Sequence, residues 1–276
     1  MDALTALALV VAVIAAARST WSPCGVSMLS TITPVTEASR QRRYPLTVAW
    51  FLLGAVAGGA TLGVLASTLA AGVGALDLTT TTTLGLLAAL ALVAAACDAR
   101  SLGLTLPGHG RQVNESWLTR YRSWVYGLGF GWQIGAGLAT YIVTAAVYLT
   151  VVAAALTGSP AVAFGIGLAF GLVRGLAIFL GVRLTTQARL VEFHRRFEAA
   201  REPSRRAAVG ALLAVAAVAA WVAAGPVAAL GAAAVGAGVV LTMRPDQMRL
   251  RTTALGATTR VELGERPGTL LGSTGQ

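Results

Sequence analysis

The chain carries little charge for its length. Only 12% of its 276 residues are charged, whereas a soluble domain carries about 25%. Hydrophobic residues make up 56% of the chain, and the mean hydropathy is +0.72. This composition excludes an ordinary soluble domain. It predicts an all-α, polytopic membrane protein whose main partner is the lipid bilayer.

Long apolar runs take the place of the missing charge. A span needs about 20 apolar residues, and seven segments are predicted to be spans: 3–35, 45–72, 81–97, 124–156, 160–182, 207–224 and 226–243. The first is too long for one straight span and is predicted to break at Ser22-Pro23. Gly225-Pro226 is a turn signal that separates the last two, and a single kinked segment is the alternative. The polar residues 244–276 are expected to form a flexible tail.

Nineteen of the 21 arginines lie in alternate connections or in the tail. They occur in 36–44, 98–123 and 183–206, whereas the connections 73–80 and 157–159 contain none. Arginine excess marks the cytoplasmic side, so we expect a multi-pass protein of the cytoplasmic membrane, with its N-terminus outside and its C-terminus inside. The same distribution explains the net charge of +10 without nucleic-acid binding.

Acidic residues are absent from the predicted spans, and both histidines fall in predicted loops. Proton-coupled pumps usually need an intramembrane acid or histidine, and metal sites need a cluster of such ligands. We therefore expect neither a proton pump nor a bound metal or cofactor. The charges predicted inside spans are Arg18 and Arg174, so any polar species bound there is expected to be anionic.

The N-terminal segment is expected to stay on the mature chain. A signal peptide has positive charge before its apolar stretch. Here Asp2 comes first, and the first arginine is Arg18.

The first and fourth segments share a tryptophan, in Trp21-Ser22-Pro23-Cys24-Gly25 and in Gly131-Trp132-Gln133-Ile134-Gly135. Aligning Trp21 with Trp132 places Cys24 opposite Gly135. The second and fifth segments share glycines four residues apart, a spacing that lets helix backbones approach closely. These glycines are Gly54/Gly58, Gly59/Gly63 and Gly167/Gly171/Gly175.

Two halves of three spans each would have opposite orientations, because three is odd. The halves are about 3–97 and 124–224, and they predict an inverted repeat, a plan that places functional sites at broken helices near the midplane. The seventh span, 225–243, is an addition to this 1–224 core.

The stretch Ser22-Pro23-Cys24 predicts a helix start. Serine is a favoured N-cap and proline suits the first helical position. Since a helix N-terminus is the positive end of the helix dipole, and Arg18 lies about a turn earlier, Cys24 is expected to favour a thiolate or to adjoin a bound anion. The alternative is that Cys24 is a small buried hydrophobic residue.

These features resemble the membrane domain of the CcdA/DsbD thiol-reductant family over residues 3–224. Ser22-Pro23-Cys24 matches the Ser-Pro-Cys element of the family's first helix, and Gly131-Trp132 matches part of the Gly-Trp-Thr-Pro-Cys element of its fourth. The resemblance implies thiol-disulfide transfer across the membrane from a thioredoxin-like partner, with Cys24 as the catalytic residue.

The second cysteine of that family is missing. Gln133-Ile134-Gly135 stands where the family has Thr-Pro-Cys, and a disulfide needs two alpha carbons within about 7 Å. The resemblance therefore implies a divergent mechanism with a single cysteine, unless Cys97 pairs with Cys24.

Two other functions stay open, transport of a small anionic or polar solute and a non-catalytic assembly role. Inside a span, Arg174 needs acceptors, which the carbonyl groups of the broken fourth segment, the Gln133 side chain or a bound anion could supply. The residues expected to contact a substrate or anion are Arg18, Ser22, Pro23, Trp132, Gln133, Gly135 and Arg174. The segment 187–206 is expected to lie along the membrane surface with its arginines at anionic lipid, or to form a docking surface.

Overall fold

The computed structural model describes residues 1–101, 122–139 and 141–244. Residues 1–243 form one compact unit, and the predicted tail lies, apart from Arg244, outside the described residues. Within the described ranges the chain forms eleven α-helices and one 3-10 helix, which confirms the prediction of an all-α protein.

The helices are numbered here in chain order. They are α1 (Ala3–Ser19), α2 (Pro23–Thr31), α3 (Pro34–Ser39), α4 (Tyr44–Gly74), α5 (Thr80–Asp98), α6 (Ser123–Ala136), α7 (Ala146–Leu156), α8 (Pro160–Leu176), the 3-10 helix (Ala177–Gly181), α9 (Gln187–Ala199), α10 (Arg201–Ala224) and α11 (Pro226–Leu241).

Four helices of the described ranges are long and apolar enough to cross a membrane. They are α4, α5, α10, and α8 with the 3-10 helix that continues it; α1 and α2 make a fifth if the bent pair is one span. Fewer helices meet this test than the seven predicted spans. The predicted span 124–156 divides into α6 and the short α7, and α11 has only 16 residues.

The first segment breaks where proline and serine predict it. Helix α1 ends at Ser19, α2 begins at Pro23, and their axes differ by 64°. The Ser22 hydroxyl accepts a hydrogen bond from the Gly25 N–H at 3.1 Å. Pro23 occupies the first turn, where its missing N–H removes no helical hydrogen bond.

The fourth segment breaks at a glycine after the shared tryptophan. Helix α6 continues through Trp132 and ends at Ala136, and Gly137 has a positive φ of 69°. A Cβ atom at this position would lie 2.7 Å from the Phe170 ring. Glycine is required here both for its backbone conformation and for its small size.

Helices α4 and α6 run parallel in direct backbone contact. A Cβ atom at Gly131 would lie 2.0 Å from the Phe51 carbonyl oxygen, and one at Gly135 would lie 2.0 Å from that of Ala55. On the facing side, a Cβ atom at Gly58 would lie 2.2 Å from the Trp132 carbonyl oxygen. These three glycine positions have no space for a side chain.

Helices α4 and α8 run antiparallel through a second glycine contact. A Cβ atom at Gly59 would lie 2.7 Å from the Gly167 carbonyl oxygen, and one at Gly171 would lie 2.6 Å from the Gly59 alpha carbon. The glycine spacings of the second and fifth segments, which allow close helix approach, lie in this contact. Helix α4, about 46 Å long at helical rise, is the element on which both contacts are built.

The last two predicted segments form a helical hairpin. Gly225 ends α10, and Pro226 begins α11. Gly236 packs against Leu213, and the two residues lie at similar distances along the chain from Gly225. The chain therefore folds back at Gly225-Pro226, as the two-helix prediction expects.

Buried apolar side chains form two clusters. The larger lies among α1, α5, α7, α8 and α10 and is rich in alanine. The smaller is formed around α2 and α6 and includes Met28, Phe51, Phe130 and Phe197. The two broken segments thus contribute to both clusters.

We expect alanine to be tolerated at an open glycine and not at a packed one. Gly135→Ala forces backbone movement against Ala55, and overpacking of this kind costs about 1–3 kcal/mol. Gly85→Ala is the matched control, because nothing lies within 4 Å of its added Cβ atom. Thermal unfolding of both variants in detergent measures the difference. Equal melting temperatures would contradict the observed contact.

Candidate functional site

Arg174 lies where the two broken segments meet. Its side chain belongs to α8 and is buried, with 2% exposure. The guanidinium carbon lies 5.9 Å from the centre of the Phe170 ring, and a Cβ atom at Gly137 would lie 3.6 Å from Nη1. Cys24, in the first turn of α2, lies in the neighbourhood of Arg174. One arginine therefore adjoins the first turn of α2 and the break after α6.

A helix end helps to stabilise this buried cation. The C-terminus of a helix is the negative end of its dipole, and α6 ends at Ala136, directly before Gly137. Of the acceptors expected for Arg174, the broken fourth segment lies next to it. The cation–π contact with Phe170 is a further favourable interaction.

Cys24 is packed rather than exposed. It is 1% exposed and belongs to the smaller apolar cluster. Both cysteines are free, and Cys97 packs against the larger cluster instead. The structure therefore contains no Cys24–Cys97 bond.

The remaining predicted site residues separate into different roles. Ser22 and Pro23 form the start of α2. Trp132 is 40% exposed and donates its indole N–H to the Thr61 hydroxyl at 3.0 Å, so it lies on the outer face of α6. Gln133 is half-buried. Gly135 is closed against α4, which leaves no space for the sulfur that the thiol-reductant resemblance expects.

Arg18 lies in a second buried polar group, centred on Asp98. Arg18 is 5% exposed, and both it and Arg205 interact electrostatically with the Asp98 carboxylate. That carboxylate accepts hydrogen bonds from the Ala145 N–H at 2.6 Å and from the Thr144 hydroxyl. Arg205 also donates to the main-chain carbonyl of Asp98 at 2.9 Å. Asp98 thereby joins α1, α5, α10 and the start of α7.

Sequence reasoning missed the buried acids. Asp98 ends α5 and is only 7% exposed, and Glu37 is fully buried with the Thr47 hydroxyl donating to it at 2.6 Å. Both acids lie just outside the predicted spans 3–35 and 81–97, so the expectation about charge inside the spans did not cover them. Arg18 itself was the available signal, because a buried cation needs an anion and Asp98 stands at the end of a predicted span.

The segment after α8 folds onto the first break. Helix α9 packs its Phe197 ring against Trp21, and the exposed side carries Arg195 and Arg196. This contact covers one face of α9, and the two expectations for 187–206, a membrane-surface helix or a docking surface, stay open. Within the described residues, no three His, Cys, Asp or Glu side chains lie together as a metal ion would need.

Curated relatives identify a different group from the one the cysteine motif suggests. The chain is 34% identical over 161 residues to the methylamine utilization protein MauF of Paracoccus versutus, which covers 58% of this chain and 59% of that protein. It is 32% identical over 165 residues to MauF of Paracoccus denitrificans, covering 58% of each. It is 29% identical over 212 residues to MauF of Methylobacillus flagellatus, covering 71% of each.

The relatives are MauF proteins. The chain spans less than two thirds of the length of the first two. No protein-family model matches the chain, and no solved structure matches it.

The resemblance to the CcdA/DsbD family is therefore wrong, and so is the thiol-disulfide role drawn from it. Its physical weakness lies at Gly135, where backbone contact with α4 excludes any second cysteine. The catalytic role of Cys24 and the thioredoxin-like partner were implied by that resemblance. The MauF names do not support the solute-transport alternative either.

We expect Asp98→Asn to destabilise the protein strongly. The substitution removes the negative charge beside Arg18 and Arg205 and places an amide group opposite two donors. Breaking a buried charged pair in this way costs about 3–5 kcal/mol. The matched control is Asp77→Asn, because Asp77 is exposed and asparagine tolerates its positive φ of 48°. Unfolding in detergent compares the two, and an unchanged stability of Asp98→Asn would contradict the assignment.

Proposed function

We propose that this chain is a membrane protein of methylamine utilization. The observation that supports this is its similarity to MauF proteins, at 29–34% identity over 161 to 212 residues. The four or five apolar helices support a place in a membrane. We assign that place to the cytoplasmic membrane because of the arginine distribution.

The helix bundle is the part of the chain to which this proposal applies. One match covers 71% of the chain, whereas residues 244–276 make up only 33 of its 276 positions. Most of that match must therefore fall within 1–243. We place the function in the helical unit rather than in the tail.

The proposed arrangement in the membrane is an inverted repeat with the N-terminus outside. Two geometric relations support it. Helices α4 and α8, the second segments of the two halves, run antiparallel, since Ala55 lies against Gly171 while Ser67 donates to the Pro160 carbonyl. Helices α4 and α6, which both follow arginine-rich connections, run parallel. If the arginine-rich connections lie on one side of the membrane, α4 and α6 must start on that side and α8 must start on the other. The observed parallel and antiparallel directions agree with this arrangement.

We propose the junction around Arg174 as the functional centre. It combines a buried guanidinium group with two helix breaks, and in proteins with inverted repeats such breaks carry the function. An intramembrane arginine is costly and is kept where it has a role. Cys24 contributes to this junction as a packed residue that positions the first turn of α2.

Complementation tests this proposal. We expect the chain to restore growth on methylamine to a Paracoccus denitrificans strain that lacks its MauF, with growth on another carbon source as the reference. Arg174→Leu should abolish this growth because it removes the buried charge. Cys24→Ala and the open-position variant Gly85→Ala should retain it.

The outcomes separate the function from the site. If the wild-type chain is present in the membrane at normal level without restoring growth, the proposed function is wrong. If Arg174→Leu grows as well as wild type, or if Cys24→Ala is present but inactive, the proposed site is wrong.

A further inference from the structure

Helix α9 covers the first helix break through an aromatic contact. The Phe197 ring stacks on Trp21 with ring centres 4.6 Å apart and an angle of 1° between the planes. The Trp21 indole N–H also donates to the Phe197 carbonyl oxygen at 2.9 Å. Phe193 stacks on Phe197 from the same helix, with ring centres 5.5 Å apart. Since Trp21 lies three residues before Cys24, α9 closes over the start of α2.

A histidine makes the second contact between these two helices. His194 Nδ1 lies 2.8 Å from the Leu190 carbonyl oxygen, and Nε2 lies 2.7 Å from the Ser30 hydroxyl oxygen. That hydroxyl in turn lies 2.8 Å from the Val26 carbonyl oxygen. The three contacts form one chain of polar atoms from α9 to α2.

The number of protons in this chain decides how many hydrogen bonds it makes. A carbonyl oxygen only accepts, so Nδ1 must donate to Leu190. In neutral His194, Nε2 then has no proton. The Ser30 hydroxyl can therefore donate either to Nε2 or to the Val26 carbonyl oxygen, but not to both. In protonated His194, Nε2 donates to Ser30, and Ser30 donates to Val26. Only the imidazolium form satisfies all three contacts at once, and its bond to Ser30 is charge-assisted.

We propose that α9 is a proton-sensitive latch over the first helix break, closed more tightly when His194 is protonated. The inference concerns regulation and goes beyond the proposed role in methylamine utilization. Histidine is the side chain that ordinarily changes charge between about pH 5 and 8. Lower pH within that range closes the latch, and higher pH loosens it.

The other charged groups near the latch do not reproduce this behaviour. Hydrogen bonds from Arg195 and Arg196 lower the pKa of Glu192 to about 2, so Glu192 stays ionised where histidine titrates. Helix α2 contains no charged side chain, and its one titratable group is Cys24. The other charged side chains on the packed elements are carboxylates and arginines: Glu37 and Arg40 on α3, Arg189 and Glu198 on α9, and Arg201, Glu202, Arg205 and Arg206 on α10.

Hydrogen exchange at two pH values tests the latch. We expect the amides of 187–199, after correction for intrinsic exchange, to open about tenfold less at about pH 5.5 than at about pH 7.5, the scale of one added charge-assisted hydrogen bond. In His194→Gln this pH dependence should disappear, because glutamine keeps hydrogen-bonding groups but does not titrate in this range. Arg189→Gln is the matched control, since Arg189 contacts Thr185 rather than α2, and it should retain the dependence.

Two further results keep the test decisive. Ser30→Ala removes the acceptor of the His194 proton without changing α9, and it should abolish the pH dependence as well. Alkylation of Cys24, relative to Cys97 in the same molecule, should be slower at the lower pH in wild type and not in Ser30→Ala. Equal protection of α9 at both pH values, or an unchanged dependence in His194→Gln and Ser30→Ala, would overturn the proposal.

Discussion

A buried charge among apolar helices must be stabilised by another charge or by a helix end, and this requirement organises the molecule. In the buried polar group centred on Asp98, the carboxylate interacts electrostatically with Arg18 and Arg205, and it accepts two hydrogen bonds at the start of α7. The buried Arg174 side chain is stabilised by the C-terminus of α6, which is the negative end of that helix's dipole. The helix breaks therefore help to stabilise the buried charges, because they place polar main-chain groups next to them.

The glycine contacts make this arrangement possible. Helix α4 carries one contact with α6 and another with α8, and in both the backbones approach too closely for a side chain at the contacting glycines. The first contact positions the break after α6, and the second positions Arg174 on α8. Gly135 belongs to this framework, which explains why the position opposite Cys24 is not a second cysteine.

Sequence reasoning predicted the features that are set locally. Ser22 and Pro23 predict a helix start, because helix capping depends on neighbouring residues of the chain and not on tertiary contacts. Glycines four residues apart indicate close helix packing, and the structure shows it between α4 and α6 and between α4 and α8. The features that were missed depend on tertiary contact. Asp98 becomes a buried partner only because α1, α7 and α10 meet at the end of α5. The two-part division of 124–156 follows from the backbone of Gly137 and the ring of Phe170.

The surroundings of Cys24 in the structure do not favour thiol chemistry. A short motif around one cysteine indicated thiol chemistry, yet that cysteine is packed in an apolar cluster, and Gly135, the position aligned with it, is closed by α4. Similarity over 161 to 212 residues to MauF proteins is the broader signal. In this account the central feature of the molecule is not a thiol but a set of buried charges near two helix breaks.

The most direct test of that account is a double-mutant cycle between Arg18→Met and Asp98→Asn, measured as the free energy of unfolding in detergent. If the buried charges hold the helices together, the two substitutions should be coupled by at least about 1 kcal/mol, because either one removes the same interaction. Effects that add to within about 0.3–0.5 kcal/mol would show that the charges act independently, and they would contradict the account.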